Sequence, residues 1–151
     1  MSRRLNLSVR DIELLEHLAA SRRLAGMFPG KSAFLLLREI YFDTPDGLLR
    51  ERGMKLCLRV EARGRQVVEL TVQDVVNLQG VVEETVLEIP VVGGGLYSTV
   101  SGQSEVATRL RGVADMAALR PQLALDIDRE ERDLKSSWWG RPQHRVSFDH
   151  V

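Results

Sequence analysis

Two stretches of this chain hold charged side chains at a spacing that would gather them on one surface. From Met54 to Glu61, MKLCLRVE, apolar residues alternate with Lys55, Cys57, Arg59 and Glu61. Successive side chains of a strand leave opposite faces, so Met54, Leu56, Leu58 and Val60 predict a core face, and Lys55, Cys57, Arg59 and Glu61 share the other. From Leu123 to Leu134, LALDIDREERDL, the same alternation puts Leu123, Leu125 and Ile127 on a core face and Asp126, Asp128, Glu130 and Arg132 opposite. Cations so placed can neutralise phosphate oxygens, and carboxylates can hold a hard divalent ion. For the pair Asp126 and Asp128 a solvated strand edge is the preferred reading over a metal site. Lys31, in Pro29-Gly30-Lys31-Ser32, could reach a phosphate from a loop. It is not a nucleotide-binding P-loop, because the earlier glycine falls at Ala25 and a Phe-Leu-Leu-Leu strand follows where a helix is needed. His17 reads as a surface residue of a helix. Cys57 has no His or Asn context that would make it a nucleophile, which leaves a structural thiol.

The elements that must carry these residues are short and mostly β. A strand is expected at Leu5–Val9, and a capping pair Ser8/Asp11 then opens an amphipathic helix with Ile12, Leu15, Leu18 and Ala19, ending near Leu24. An apolar strand Phe34–Tyr41 follows a loop, and Asp43-Thr44-Pro45-Asp46-Gly47 is dense turn chemistry. Arg38 sits among apolar neighbours, where it faces a polar cavity or escapes at an edge. Ala62–Arg65 predicts a hairpin turn, with a return strand over Gln66–Gln73 and Val68, Leu70 and Val72 on its core face. Gly93–Gly95 and the polar run Ser98–Gly102 read as linker. A second amphipathic helix runs from Ser104 through Val106, Leu110, Val113 and Ala117, and Pro121 is expected to end it. Arg145–Val151 predicts a last strand.

The phrase Tyr41–Asp46, YFDTPD, followed by Leu48 or Leu49, Gly53, Leu56 and Arg59, resembles the CYTH domain, the triphosphate-tunnel family of class-IV-type adenylate cyclases, thiamine triphosphatases and inorganic triphosphatases. The resemblance implies an α+β fold, an antiparallel β-barrel (tunnel) or open curved sheet, with two amphipathic helices packed outside. It implies phosphate contacts from Arg59 and Arg132, joined by Arg38, Lys55 and Arg65. Val82–Pro90, VEETVLEIP, answers to the family's acidic strand, with Glu84, Val86 and Glu88 on one face; a register shifted by one would present Glu83, Thr85 and Leu87. The metal-binding carboxylates it implies are Glu88, Asp149 and Glu84. An active member would be a Mg²⁺- or Mn²⁺-dependent triphosphatase acting on phosphoanhydride bonds, or an adenylate cyclase.

Departures from the family pattern are concentrated in the charged positions. Arg4, Asn6 and Ser8 stand where the family's first strand reads Glu-x-Glu-x-Lys, Cys57 replaces an arginine, and Gln73 replaces a lysine. Asp149 matches an aspartate near the end, and Val151 replaces a glycine there. The expectation is a CYTH-like domain that binds a triphosphate or polyphosphate with its triphosphatase chemistry lost or reduced. An active hydrolase with a rearranged metal site is the first competitor, and a structural or regulatory module the second.

Residues 1–151 are read as one CYTH-like domain of 17.0 kDa that lacks the family's closing strand, as in a fragment of a longer protein or a domain completed by a second copy. Lys plus Arg and Asp plus Glu both number 21, so no general attraction to nucleic acid or an acidic membrane is expected. The ligand expected is a phosphorylated small molecule or polyphosphate, and the protein partner a second copy or a fused domain. One cysteine, no signal-like apolar run and no span of about 20 apolar residues predict a cytoplasmic protein.

Overall fold

Seven strands and four short helices form an α+β fold in the computed structural model, which describes residues 2–6, 11–76, 82–91 and 94–151, with residues 2–6, 74–76, 82 and 83 as backbone alone. In chain order these are β1 (Ser2–Asn6), α1 (Ile12–Ala20), β2 (Phe28–Asp43), α2 (Leu48–Glu51), β3 (Met54–Glu61), β4 (Gln66–Val76), β5 (Val82–Pro90), α3 (Leu96–Val100), α4 (Glu105–Arg111), β6 (Arg120–Lys135) and β7 (His144–His150). The strand order is β1-β5-β4-β3-β2-β6-β7, with antiparallel ladders, and β1 and β7 are its ends among the described residues. The chain divides into two compact units, residues 1–7 with 38–125, and residues 8–37 with 126–151. The long strands β2 and β6 each contribute to both.

In the first unit the β3–β4 hairpin pairs Leu56 with Leu70 and Leu58 with Val68, and β4 pairs Leu70 with Leu87. These apolar rows meet Leu49 of α2, Leu96 and Val100 of α3, and Val106 and Leu110 of α4 in one core. Leu49, Leu56, Leu70 and Leu110 are completely buried. Each such leucine contributes about 1.5–3 kcal/mol through loss of apolar surface from water. The turn of the hairpin closes through Gly64, whose φ of +80° suits a residue without Cβ. Opposite this core, the alternation delivers the charged face.

Tyr41–Asp46 is a corner. Asp43 Oδ1 accepts from the backbone N–H groups of Thr44 and Leu49, its Oδ2 accepts from that of Arg50, and Thr44 Oγ1 accepts from that of Leu48. The amides of Leu48, Leu49 and Arg50 are ones that the start of a helix leaves without partners, so the two side chains join the end of β2 to α2.

Several sequence expectations are corrected. β1 ends at Asn6, and residues 7–10, which include Ser8 and Val9, lie outside those described. The cap of α1 is Asp11, whose Oδ1 accepts from the N–H groups of Glu13 and Leu14, and the helix stops at Ala20. β2 begins at Phe28, so Pro29-Gly30-Lys31 belongs to a strand rather than a loop. Ser98–Val100 belongs to α3, anchored by completely buried Val100. Ser104 does cap α4, but that helix ends before Gly112; Ala117 lies in a 3-10 turn, Met116–Ala118, and Pro121 in β6. Leu123 is about half exposed, whereas Ile127 is buried. No helix among the described residues is long and apolar enough to cross a membrane.

Candidate functional site

The polar face of the first unit is built by parity along β3, β4 and β5. Cys57, Glu69 and Glu88 form one row across the three strands, and Lys55, Thr71 and Val86 the next. β3 and β5 are separated by β4, a distance of about 10 Å at ordinary strand spacing, which only a long side chain can span. Arg59 spans it. One of its terminal nitrogens donates to Glu69 Oε2 at 2.6 Å and the other to Glu88 Oε1 at 2.7 Å. Lys55 reaches across in the same way to Glu84 Oε1, at 2.5 Å. The expected register of β5, with Glu84, Val86 and Glu88 on this face, is the one observed for Glu84 and Glu88.

Burial differs sharply among these partners. The side chains of Arg59 and Glu69 are 9% and 8% exposed, that of Glu84 is 1% exposed, and that of Glu88 is 42% exposed. Burial by itself would make the Arg59 guanidinium easier to deprotonate. The hydrogen bond to Glu88 and the charges of Glu69, Glu88 and Glu39 outweigh that and hold its pKa above the ordinary value. Thr71 Oγ1 donates to the other oxygen of Glu69 at 3.1 Å, so both oxygens of that carboxylate are engaged.

Two further members come from β2, where Tyr41 Oη donates to Glu39 Oε2 at 2.6 Å and Glu39 is 7% exposed. Burial and then this bond to Glu39 push the Tyr41 hydroxyl well above its usual range. Burial, then the charges of Glu39 and Glu69, push the Cys57 thiol up as well, against the opposing influence of Arg59. Cys57 is therefore a protonated, 4% exposed thiol, in keeping with a structural role.

The other expected residues belong to other faces or other elements. Arg38 is exposed and leaves β2 on the face opposite Glu39 and Tyr41, and Arg65 is exposed in the β3–β4 turn. In the second unit, Arg132 donates through Nε to Glu130 Oε1 at 2.8 Å, and Ser32 Oγ donates to the same oxygen. The Ser32 bond and then the Arg132 contact hold the Glu130 carboxyl below its usual range. Asp149 stands directly across from Arg129 and is gripped by it at 2.6 and 2.7 Å. Arg132 pairs in register with Val146, so it and Asp149 occupy opposite faces of the β6–β7 ribbon. Asp128 and Glu130 share a hollow with Phe34, Leu36 and His150.

Glu39, Glu69 and Tyr41 were missed as site residues. Glu69 was legible in principle: a turn over residues 62–65 fixes the hairpin register, and that register puts Glu69 one row from Arg59. Glu39 carried the same signal as Arg38, a charge inside an apolar strand.

A divalent ion does not fit the described donor set. Among the described residues no three His, Cys, Asp or Glu side chains are gathered as ligands, and Glu69, Glu84 and Glu88 each carry an ion pair to a protein cation. Asp149 is in the second unit with Arg129 across both its oxygens. At β1 the side chains are not described; Arg4 lies directly across the ladder from Glu84.

No family model and no curated protein matches the sequence. Solved structures do match. A candidate adenylate cyclase from Bacillus halodurans superposes with a TM-score of 0.52 at 17% identity, covering 99% of this chain and 79% of that one. A candidate adenylyl cyclase from Hippeastrum, described as having a dominant triphosphatase activity, superposes with a TM-score of 0.54 at 16% identity, covering 99% and 78%. Identities this low establish likeness of fold alone. The strand order, the corner at Asp43 and these two superpositions agree with the resemblance first read at Tyr41–Asp46: the chain has a CYTH-type fold.

Proposed function

We propose that this domain binds a triphosphate- or polyphosphate-type anion on the β3–β4–β5 face, with triphosphatase chemistry lost or reduced. The observation that carries the reading is the unequal pair of acids on Arg59. Glu69 is sealed in and fixed by Thr71, whereas Glu88 is part-exposed and can swing into water. An arriving phosphate oxygen takes the place of Glu88 on Arg59, so binding is an exchange of one anionic partner for another. Lys55, 41% exposed, offers a second donor four residues away on the same strand face.

The reduction in chemistry follows from the donors. Phosphoryl transfer needs positive charge to spare beside the transferred group. Here Arg59 and Lys55 are already matched by Glu69, Glu84 and Glu88, and Arg4 and Asn6 occupy positions where the resembled family places carboxylates. No step is routed through a metal.

Thermal-shift titration with inorganic tripolyphosphate, ATP and thiamine triphosphate, each with and without Mg²⁺ or Mn²⁺, tests this. The expected result is a rise in Tm with tripolyphosphate that does not require the metal. Glu88→Gln should tighten that binding several-fold, since the competing internal charge is gone. Binding that requires a divalent ion and is abolished by Glu88→Gln would make Glu88 a metal ligand and overturn the proposal.

A further inference from the structure

A hollow lies in the second unit, lined by residues that the β3–β5 face does not use. It encloses about 600 Å³ between the end of α1, the start of β2 and the β6–β7 connection. That volume suits a small ligand. Its wall carries Arg22 and Arg23 just past α1, Phe28 and Pro29 of β2, Arg132 of β6, and Trp138. The Arg23 guanidinium lies 4.4 Å from the centre of the Phe28 ring, and Phe28 meets Trp138 edge-on, with 6.1 Å between centres and planes at 90°. Trp138 is 68% exposed, so much of a large aromatic surface faces water.

We infer that this hollow binds a mononucleotide: an aromatic base stacked on Trp138, with its phosphate held by Arg22 and Arg23. Charge and shape both point that way. Arg132 is already neutralised by Glu130, but neither Arg22 nor Arg23 is paired with a carboxylate among the described residues, and no acid lines the hollow. Two cations without acids favour an anion, and a planar guanidinium suits phosphate oxygens. An inorganic phosphate would leave the aromatic wall unused. A base can stack on an exposed tryptophan as bases do on the aromatic platforms that bind single strands. A long strand of nucleic acid is disfavoured by the zero net charge of the chain.

The two tryptophans are adjacent, and Trp139 is 91% exposed, so Trp139→Phe leaves Trp138 as the sole indole without disturbing the core. Emission of that variant is titrated with AMP, with adenosine, and with inorganic tripolyphosphate. Saturable quenching by AMP is expected, with adenosine weaker by about tenfold or more for want of the phosphate contacts. Arg22→Gln and Arg23→Gln, both at exposed positions, should each weaken AMP by about tenfold. Trp138 emission reports on this hollow, and the tripolyphosphate Tm test repeated in the Arg22→Gln and Arg23→Gln variants reports on the β3–β5 face. Absence of quenching at millimolar AMP overturns the inference, as does equal affinity for AMP and adenosine. Unaltered AMP binding in both arginine variants overturns it too. An oligonucleotide that binds where AMP does not would point to a different partner class and equally defeat it.

Discussion

Arginine–carboxylate pairs occur in both units, and their surroundings make them different devices. On β3–β4–β5, Arg59 and Glu69 are almost wholly out of water, and Arg59 bridges two acids. On β6–β7, Arg145 lies 61% exposed against Asp133, itself 40% exposed, at 3.0 Å. Removing a charge from water is expensive and is recovered only while every partner stays in place, whereas an exposed pair trades one hydrated state for another. The buried group thus fixes which three strands lie side by side and holds a charged donor ready. The exposed pair decorates a ribbon.

That contrast is sharpest for the loss of one partner. Arg59→Met should cost about 3–5 kcal/mol in urea or guanidinium unfolding, because the buried Glu69 carboxylate loses its guanidinium partner. Adding Glu69→Leu should recover most of that loss; if the double variant is as unstable as the single, the pair is not the cause. Next in size, the two acids on Arg59 should be unequal: Glu69→Gln should cost about 2–3 kcal/mol and Glu88→Gln under about 1 kcal/mol. Equal costs would erase the distinction on which partner exchange depends.

Alkaline pH probes the same face. Cys57 and Tyr41 have ordinary values of 9.0 and 10.0, and folding raises both. Above pH 9 the unfolded chain therefore gives up protons that the folded chain keeps, so stability is full below that pH and falls as pH rises. The slope approaches about 1.4 kcal/mol per pH unit for each group once its unfolded form is ionised. Cys57→Ala should delay the onset by about one pH unit. Thiol reagents should label Cys57 in the native protein far more slowly than in urea. The smallest effect belongs to the ribbon: Arg145→Ala should change stability by less than about 0.5 kcal/mol.

The two regions were also unequally legible. Strict alternation over Met54–Glu61 and Gln66–Gln73 identified both faces of the β3–β4 hairpin, because a period of two survives in any antiparallel pair with one face buried. The same reasoning put Lys55 and Arg59 on one surface, whereas Glu84 and Glu88 were placed by the family resemblance with a register shifted by one left open. It did not foresee that the cations would bond to those acids, since partner choice depends on which side chains can span a strand. In β6 the alternation misled at Leu123, which is exposed although Ile127 is buried. Helix α3 escaped notice because Tyr97, Ser98 and Thr99 are weak helix formers; buried Leu96 and Val100 hold it in place.

Asp43 carries a last consequence. The most recognisable phrase in this chain is in large part joinery: its Asp43 carboxylate gathers three amides at a bend, while its Tyr41 turns to the polar face. Architecture and reactivity are thus written in separate letters, and a lineage could rewrite the second while leaving the first untouched. A likeness announced by such a corner tells what shape to expect and is silent about the work performed.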